Sequence, residues 1–497
     1  MRLKPRTIFR SKENITALRL FGAAASFAVA GCAVGPTYLR PAVEAPAAYK
    51  EAAGWKAAEP SDAAARGAWW GVFQDPRLDE LEVQVALSNQ SLKQAEANYE
   101  EARQLARADR ATFLPSIGVD GSADKTHSFL AGTSTTYTAE LQGTWSPDFW
   151  GRIRRQTEAD VEAAQASAAT LASARLSTQA TLAQDYIALR SLDEKRRLLG
   201  NAVEDYRRTL QISQNQYAVG VMARSNVISA QAQLDATRAQ AIDVGVQRAQ
   251  FEHAIAVLIG KAPGDVTIAP EPTMGLTLPA IPAQVPSDLL ERRPDIASAE
   301  RSVASANARV GVQTAAYFPD VSLTANGGYA GSPLDRLFTA PFRFWSLGAN
   351  VSDTLLDFGQ RHDEVLEARA AYDASVAGYR QTVLGAFQQV EDNLASLRIQ
   401  EEESQVQDAA VAEAADAAKI TMNEYRAGTV DYTTVVTAQV NELTDRETAL
   451  ALRQSRLTAA AALIEALGGG WTAGDLPARR QVVAHRSADG ATLAAPQ

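Results

Sequence analysis

Reactive chemistry needs particular side chains at particular spacings, and few such sets stand in this chain. Cys32 is the single cysteine, so no disulfide can form within the chain. The four histidines, His127, His253, His362 and His485, make no HExxH pair and no Cys/His cluster, which argues against a metal site. There is no Walker phosphate loop, no dinucleotide-binding glycine fingerprint and no GxSxG nucleophile turn. Carboxylates are spread along helical faces, where their ordinary role is a solvated surface. The expectation is a protein that is not an enzyme and needs no soluble cofactor. The formal net charge of -10 lacks any basic stripe, so nucleic acid is not an expected partner.

What Cys32 could do depends on what precedes it. Residues 1–31 read as an export signal, with Arg2, Lys4, Arg6, Arg10 and Lys12 ahead of an apolar stretch from Leu18 to Ala30. That stretch is too short to span a bilayer comfortably as a helix. It ends in Val29-Ala30-Gly31-Cys32, which resembles the bacterial lipoprotein signal. The resemblance implies that Cys32 is acylated (with palmitate among its chains), becomes the new N-terminus and anchors it in lipid. Ala33, being other than aspartate, implies sorting to the outer membrane. Beyond the signal there is no run of 18 apolar residues. A membrane crossing, if there is one, must therefore be made by strands.

The elements that follow come twice. Leu92, Glu96 and Pro115 match Ile296, Glu300 and Pro319 at an offset of 204. Phe149-Trp150-Gly151-Arg152 matches Asp357-Phe358-Gly359-Gln360 at 208, as Ala188-Leu189-Arg190 matches Ser396-Leu397-Arg398. Tyr217-Ala218-Val219-Gly220 matches Tyr425-Arg426-Ala427-Gly428 at the same offset. The reading is a signal over 1–31, a first copy over 32–262, a Pro-rich linker over 263–286, a second copy over 287–471 and a disordered tail over 472–497.

Each copy predicts two strands, at roughly 115–125 and 137–148, then 319–330 and 344–354. Ile117, Val119, Gly121 and Ala123 alternate with Ser116, Gly118, Asp120 and Ser122, and the other three segments repeat the pattern. Period-2 alternation gives one apolar and one polar face. The lengths suit a tilted membrane strand, and Tyr137, Trp145, Tyr329 and Trp345 suit its interfaces. Four strands cannot close a barrel, and open edges are not tolerated in lipid. Two chains would supply eight strands around a filled interior; three would supply twelve around an aqueous bore, which the polar faces favour. The remainder predicts long, alanine-rich helices: Gly151 to about Leu199, 223–260, Gln360 to about Ile399, and 431–467. A helix of roughly 45 residues would be about 70 Å long.

With these elements in place, the chain resembles the TolC-like outer-membrane factors, in their lipoprotein (NodT-type) branch. The resemblance rests on Cys32 and 34–41, on Trp69-Trp70 with Phe73-Gln74-Asp75-Pro76, and on Asp288-Leu289-Leu290-Glu291-Arg292-Arg293-Pro294-Asp295-Ile296. Leu356-Asp357-Phe358-Gly359 and Ala466-Leu467-Gly468-Gly469-Gly470-Trp471 complete it. It implies a mixed α/β membrane protein: a homotrimer with a shared 12-stranded outer-membrane barrel, four strands per chain, above a long periplasmic helical barrel. It implies a passive exit duct for drugs and toxic compounds, joined by an adaptor (membrane-fusion) protein to an inner-membrane pump of the RND type.

The resemblance also assigns roles to residues. It implies adaptor-docking tip turns at Tyr217, Val219, Gly220 and Val221, and at Tyr425, Ala427, Gly428 and Thr429. It implies a periplasmic constriction around Arg224, Asn226, Tyr425, Asp431, Thr433, Thr434 and Thr437. Family members often carry a carboxylate where Thr437 precedes Ala438-Gln439, so this chain departs from the acidic-ring pattern. A duct for another client, and a periplasmic spacer lipoprotein without a channel, are the competing readings.

Overall fold

Helix starts are where the sequence acts most visibly. The computed structural model describes residues 33–43, 46, 48–52, 68–130, 132–279 and 289–484. Residues 1–32, with the expected signal and Cys32, lie outside them, as do 280–286 of the Pro-rich stretch and 485–497. Helix α1 (Pro76–Ser88) begins with proline at its first position, and the Asp75 carboxylate accepts from the Arg77 and Leu78 amides at 2.8 and 3.0 Å. Asn89 caps α2 (Gln90–Ala111) in the same way, accepting from Leu92 N at 3.0 Å. Its amide group also donates to Leu258 O at 2.8 Å, tying α2 to the end of a distant helix.

Helix α3 (Arg152–Ala218) follows, with its first amides met by Asp148, which accepts from Ile153 N and Arg154 N at 3.0 Å each. It runs 67 residues, about 100 Å, well past the expected end near Leu199. Only Gly200 weakens the sequence there, and one exposed glycine costs about 1 kcal/mol, too little to stop a helix that packs on both sides. Helix α4 (Arg224–Leu258) returns beside it. The second half repeats the series: α5 (Pro294–Ala315), α6 (Gln360–Ala427, 68 residues) and α7 (Tyr432–Ala466). α2 and α5 start 204 residues apart; α3 and α6, like α4 and α7, start 208 apart. No helix among the described residues is long and apolar enough to cross a membrane.

The four strands are β1 (Ser116–Ser128), β2 (Gly132–Trp145), β3 (Asp320–Gly331) and β4 (Arg343–Ser352). They form one antiparallel sheet in the order β1-β2-β3-β4, so β1 and β4 are unpaired edges. Register confirms the alternation: Ile117, Gly143, Ala325 and Leu347 make one row, and Ser116, Thr144, Thr324 and Gly348 the next. The first hairpin is longer than its sequence suggested. Pairing continues through Thr126 opposite Ser134 and His127 opposite Thr133, with side-chain contacts of 3.2 and 3.0 Å. These positions are polar on both faces, so no alternation marked them.

The main core joins Trp69, Phe73, Leu78 and Leu81 to Leu182, Tyr186 and Leu189 of α3, Ile255 of α4 and Leu457 of α7. Each such side chain contributes about 1.5–3 kcal/mol by leaving water. One expectation for the irregular segments is corrected, and another gains detail. Within the Pro-rich linker, 266–279 packs as a strap: Ile268, Met274 and Leu276 enter this same core. The segment 472–484, expected to be disordered, contains a short helix α8 (Arg479–Val483) whose Val482 is fully buried against Ala106, Val161 and Ala164. Arg479 pairs with Glu162, and Gln165 donates to Pro477 O at 2.8 Å. Arg107 and Arg110 add hydrogen bonds to Ala484 O and Val483 O, and such long-range ties leave no periodic signal.

Candidate functional site

Both long hairpins reverse at a glycine. Gly220 and Gly428 have φ of +74° and +77°, which a side chain disfavours. Gly220 N donates to Tyr217 O at 2.9 Å and Val221 N to Gln216 O at 3.0 Å. Gly428 N donates to Tyr425 O and Thr429 N to Glu424 O, both at 3.0 Å. These paired bonds are Schellman closures that satisfy the last helical carbonyls and turn the chain back. The two tips differ in surface. Tyr217, Val219 and Val221 stand exposed on the first, the two valines at 73% and 77%. The second presents Ala427, Gly428 and Thr429, small and exposed.

Between the hairpins lies a separate small core. Tyr206 and Leu210 of α3, Ala230 and Leu234 of α4, Tyr425 at the end of α6, and Tyr432 and Val435 of α7 pack together. Tyr425 is buried here, packed between the hairpins and away from any open face. Its hydroxyl meets the buried Ser213 Oγ at 3.0 Å, linking the second hairpin to the first, and lies 3.3 Å from Met222 Sδ. Its ring sits 5.9 Å from that of Tyr432. Burial raises the Tyr425 and Tyr432 hydroxyls above the usual tyrosine range and pushes Tyr206 to about 12.

The expected constriction residues divide. Thr433, Thr434 and Thr437 do share one surface, a groove of about 760 Å³ between α6 and α7. Thr437 Oγ1 donates to Thr433 O at 2.8 Å, so its proton is spent on the backbone and its lone pairs and methyl face outward. Arg224 and Asp431 are exposed at the starts of α4 and α7 and make no ion pair with each other. Asn226 is half-buried, in the first turn of α4.

Sequence reasoning missed the charge in this groove. Glu413 of α6 and Asp445 of α7 line it with Thr437. Asp445 lies eight residues after Thr437, on the same helix face, so the helical period could have found it. It also missed a buried ionic belt. Asp193 accepts from Arg190 Nη1 at 3.1 Å and from Arg248 Nε at 2.6 Å, with all three side chains at least nine-tenths buried. The same arginines donate to Ala269 O and Ile268 O at 2.9 and 2.6 Å, clamping the Pro-rich strap across α3 and α4. No group of residues suited to hold a metal occurs among the described residues.

Cys32 itself is not described, but its neighbour is. Ala33 packs against Gly151, where any Cβ would fall 2.7 Å from Ala33 Cα. Val34 N donates to Trp150 O at 3.1 Å, and Arg155 Nε to Val34 O at 3.1 Å. The chain therefore enters at the foot of β2, beside Trp150.

The chain matches the family described as Outer membrane efflux protein over residues 82–261 and again over 285–469. It is 28% identical over 459 residues to the probable efflux pump outer membrane protein TtgC of Pseudomonas putida, covering 90% of this chain and 95% of that protein. It is 26% identical over 454 residues to the cation efflux system protein CusC of Escherichia coli, covering 90% and 97%. Among solved structures, the outer-membrane channel OprN matches with a TM-score of 0.83 at 29% identity, over 88% of this chain and all of that one.

Proposed function

The chain belongs to the outer membrane efflux protein family, and from that membership we propose that three copies form the exit duct of a tripartite efflux system. One observation carries the reading. The four-stranded sheet keeps both edges unpaired, and hydrocarbon offers no hydrogen-bond partner for an edge. Three copies would give twelve strands, enough for a barrel with a water-filled bore, continued by helices of about 100 Å into the periplasm.

The two halves are copies of one unit, as the double family match and the recurring element starts support. The duct conducts passively. Its clients are small organic compounds, the class named for the toluene and antibiotic efflux relatives, which are 28% identical to this chain against 26% for the cation efflux relative. An adaptor protein docks on the tips, where exposed Tyr217, Val219 and Val221 offer apolar surface, and an inner-membrane pump of the RND type drives export. The Thr433–Thr437 face lines the periplasmic constriction. Cys32 carries the lipid, its neighbour Ala33 being held at the foot of the sheet.

Purified protein in detergent is expected to have the mass of three chains and to conduct in planar bilayers. A monomer silent in bilayers overturns the proposal. Mass spectrometry of the N-terminus tests the lipid separately: an unmodified Cys32 thiol in outer-membrane protein overturns that part.

A further inference from the structure

Where α8 meets the end of α2 and the first turns of α3, it closes one side of a cavity of about 740 Å³. Four arginines line that cavity: Arg110 from α2, Arg154 from α3, and Arg479 and Arg480 from α8. They converge from three separate elements, in a chain whose formal net charge is -10.

Two of the four are already answered by carboxylates. Arg154 Nε meets Asp148 at 3.1 Å, and Arg479 pairs with Glu162 and, at 3.9 Å, with Glu158. Glu158 is the one carboxylate among the described residues of the lining, and it is shared with Arg155 at 2.9 Å. Arg110 and Arg480 are exposed and make no ion pair among the described residues. Arg110 Nη1 donates to Val483 O at 3.4 Å, which steadies the guanidinium without neutralising it. Two positive charges therefore border the cavity without a protein counter-ion. A guanidinium meets phosphate oxygens with paired, charge-assisted hydrogen bonds, so the chemistry suits a phosphate.

Position says which phosphate. Phe113, in the cavity wall, stands just before β1, and its carbonyl accepts from the indole N–H of Trp145 at 3.0 Å. Trp145 ends β2, and aromatic residues at strand ends mark the boundary between hydrocarbon and water in membrane barrels. The turns of α3 that supply Arg154 and Glu158 also receive the chain coming from Cys32, through Ala33 on Gly151 and Val34 O on Arg155 Nε. In the duct proposed above, this level is the periplasmic leaflet of the outer membrane. Phe113 and Val483 add apolar wall, which a free ion does not need and an acyl chain would cover.

We propose that this cavity binds the phosphate of an anionic phospholipid from the periplasmic leaflet. Arg110 and Arg480 supply the charge, and Phe113 and Val483 meet the start of the acyl chains. The inference rests on the membrane placement proposed above and adds a lipid site to it.

Native mass spectrometry of the full-length protein in detergent, titrated with phosphatidylglycerol or phosphatidylcholine, tests it. The two lipids share the phosphodiester and the chains, but only the first carries net charge. Phosphatidylglycerol should be retained more strongly, at one site per chain. Arg480→Gln breaks no ion pair and should weaken that retention about fivefold, the usual worth of one basic residue at an anionic lipid surface. Adding Arg110→Gln should weaken it about as much again, with the mass of the assembly in the same spectrum showing that the variants stay folded. Arg207→Gln, at an exposed site near the other end of α3, should change nothing. Equal retention of the two lipids, or retention indifferent to both cavity substitutions, overturns the site while leaving a conducting trimer standing. Displacement of the lipid by equimolar inorganic phosphate shows a site for the free ion and overturns the lipid assignment. A monomer silent in planar bilayers removes the membrane placement itself.

Discussion

Replacing Tyr425 by phenylalanine removes one atom from the core that joins the hairpins. The ring stays beside Tyr432, but the 3.0 Å bond to Ser213 is lost. Ser213 keeps its own bond to Thr209 O at 3.0 Å, so no buried hydroxyl is orphaned. The loss is then the net worth of one buried hydrogen bond, about 1 kcal/mol per chain. If opening the tip parts the second hairpin from the first, three copies lose about 3 kcal/mol of closed-state preference, roughly a hundredfold in the opening equilibrium. Open probability in planar bilayers measures this directly. Ser213→Ala, which leaves the buried Tyr425 hydroxyl only Met222 Sδ, should produce a shift at least as large, and the double variant should fall well short of the sum, because both remove the same contact. Strictly additive effects, or an open probability unchanged by Tyr425→Phe, would refute the argument that this bond holds the hairpins together.

Thr437→Asp should raise the cation-to-anion permeability ratio, since a ring of carboxylates favours cations; an unchanged ratio removes Thr437 from the lining. Glu82 is fully buried in α1 with both oxygens unpartnered, and burial, helped by nearby Asp79, pushes its carboxyl to about 9. Its folded pKa exceeds its unfolded one, so its contribution is complete at acid pH and declines as pH rises from about 4.5 to about 9. Glu82→Gln should therefore flatten the fall of Tm over that window, and parallel Tm–pH curves for the two proteins would count against it. Arg190→Met leaves Asp193 with one guanidinium fewer in a buried site, and a loss of about 3–5 kcal/mol is expected in denaturant unfolding. A change below 1 kcal/mol would show that Arg248 alone suffices.

Much of the architecture was legible because it depends on short-range physics. A residue's side chain alternates along a strand whatever lies opposite, so the faces of Ile117–Ala123 and Trp345–Val351 could be read directly. A left-handed turn wants glycine wherever it occurs, which exposed Gly220 and Gly428. The groove shared by Thr433, Thr434 and Thr437 also holds Asp445, within reach of the helical period, and Glu413, which was not legible because a different helix carries it.

The sequence by itself determined the kinds of element and, beyond residues 1–31, the lack of any apolar run long enough to span a membrane, since each follows from neighbours a few residues apart. Only the tertiary structure decided that Tyr425 faces Ser213, that Arg190 and Arg248 clamp the strap, and that Val482 docks on α2 and α3. Those contacts join residues tens to hundreds of positions apart. A local pattern shows that a face must be covered, but which distant segment covers it is settled by shape and by the pairing of buried polar groups.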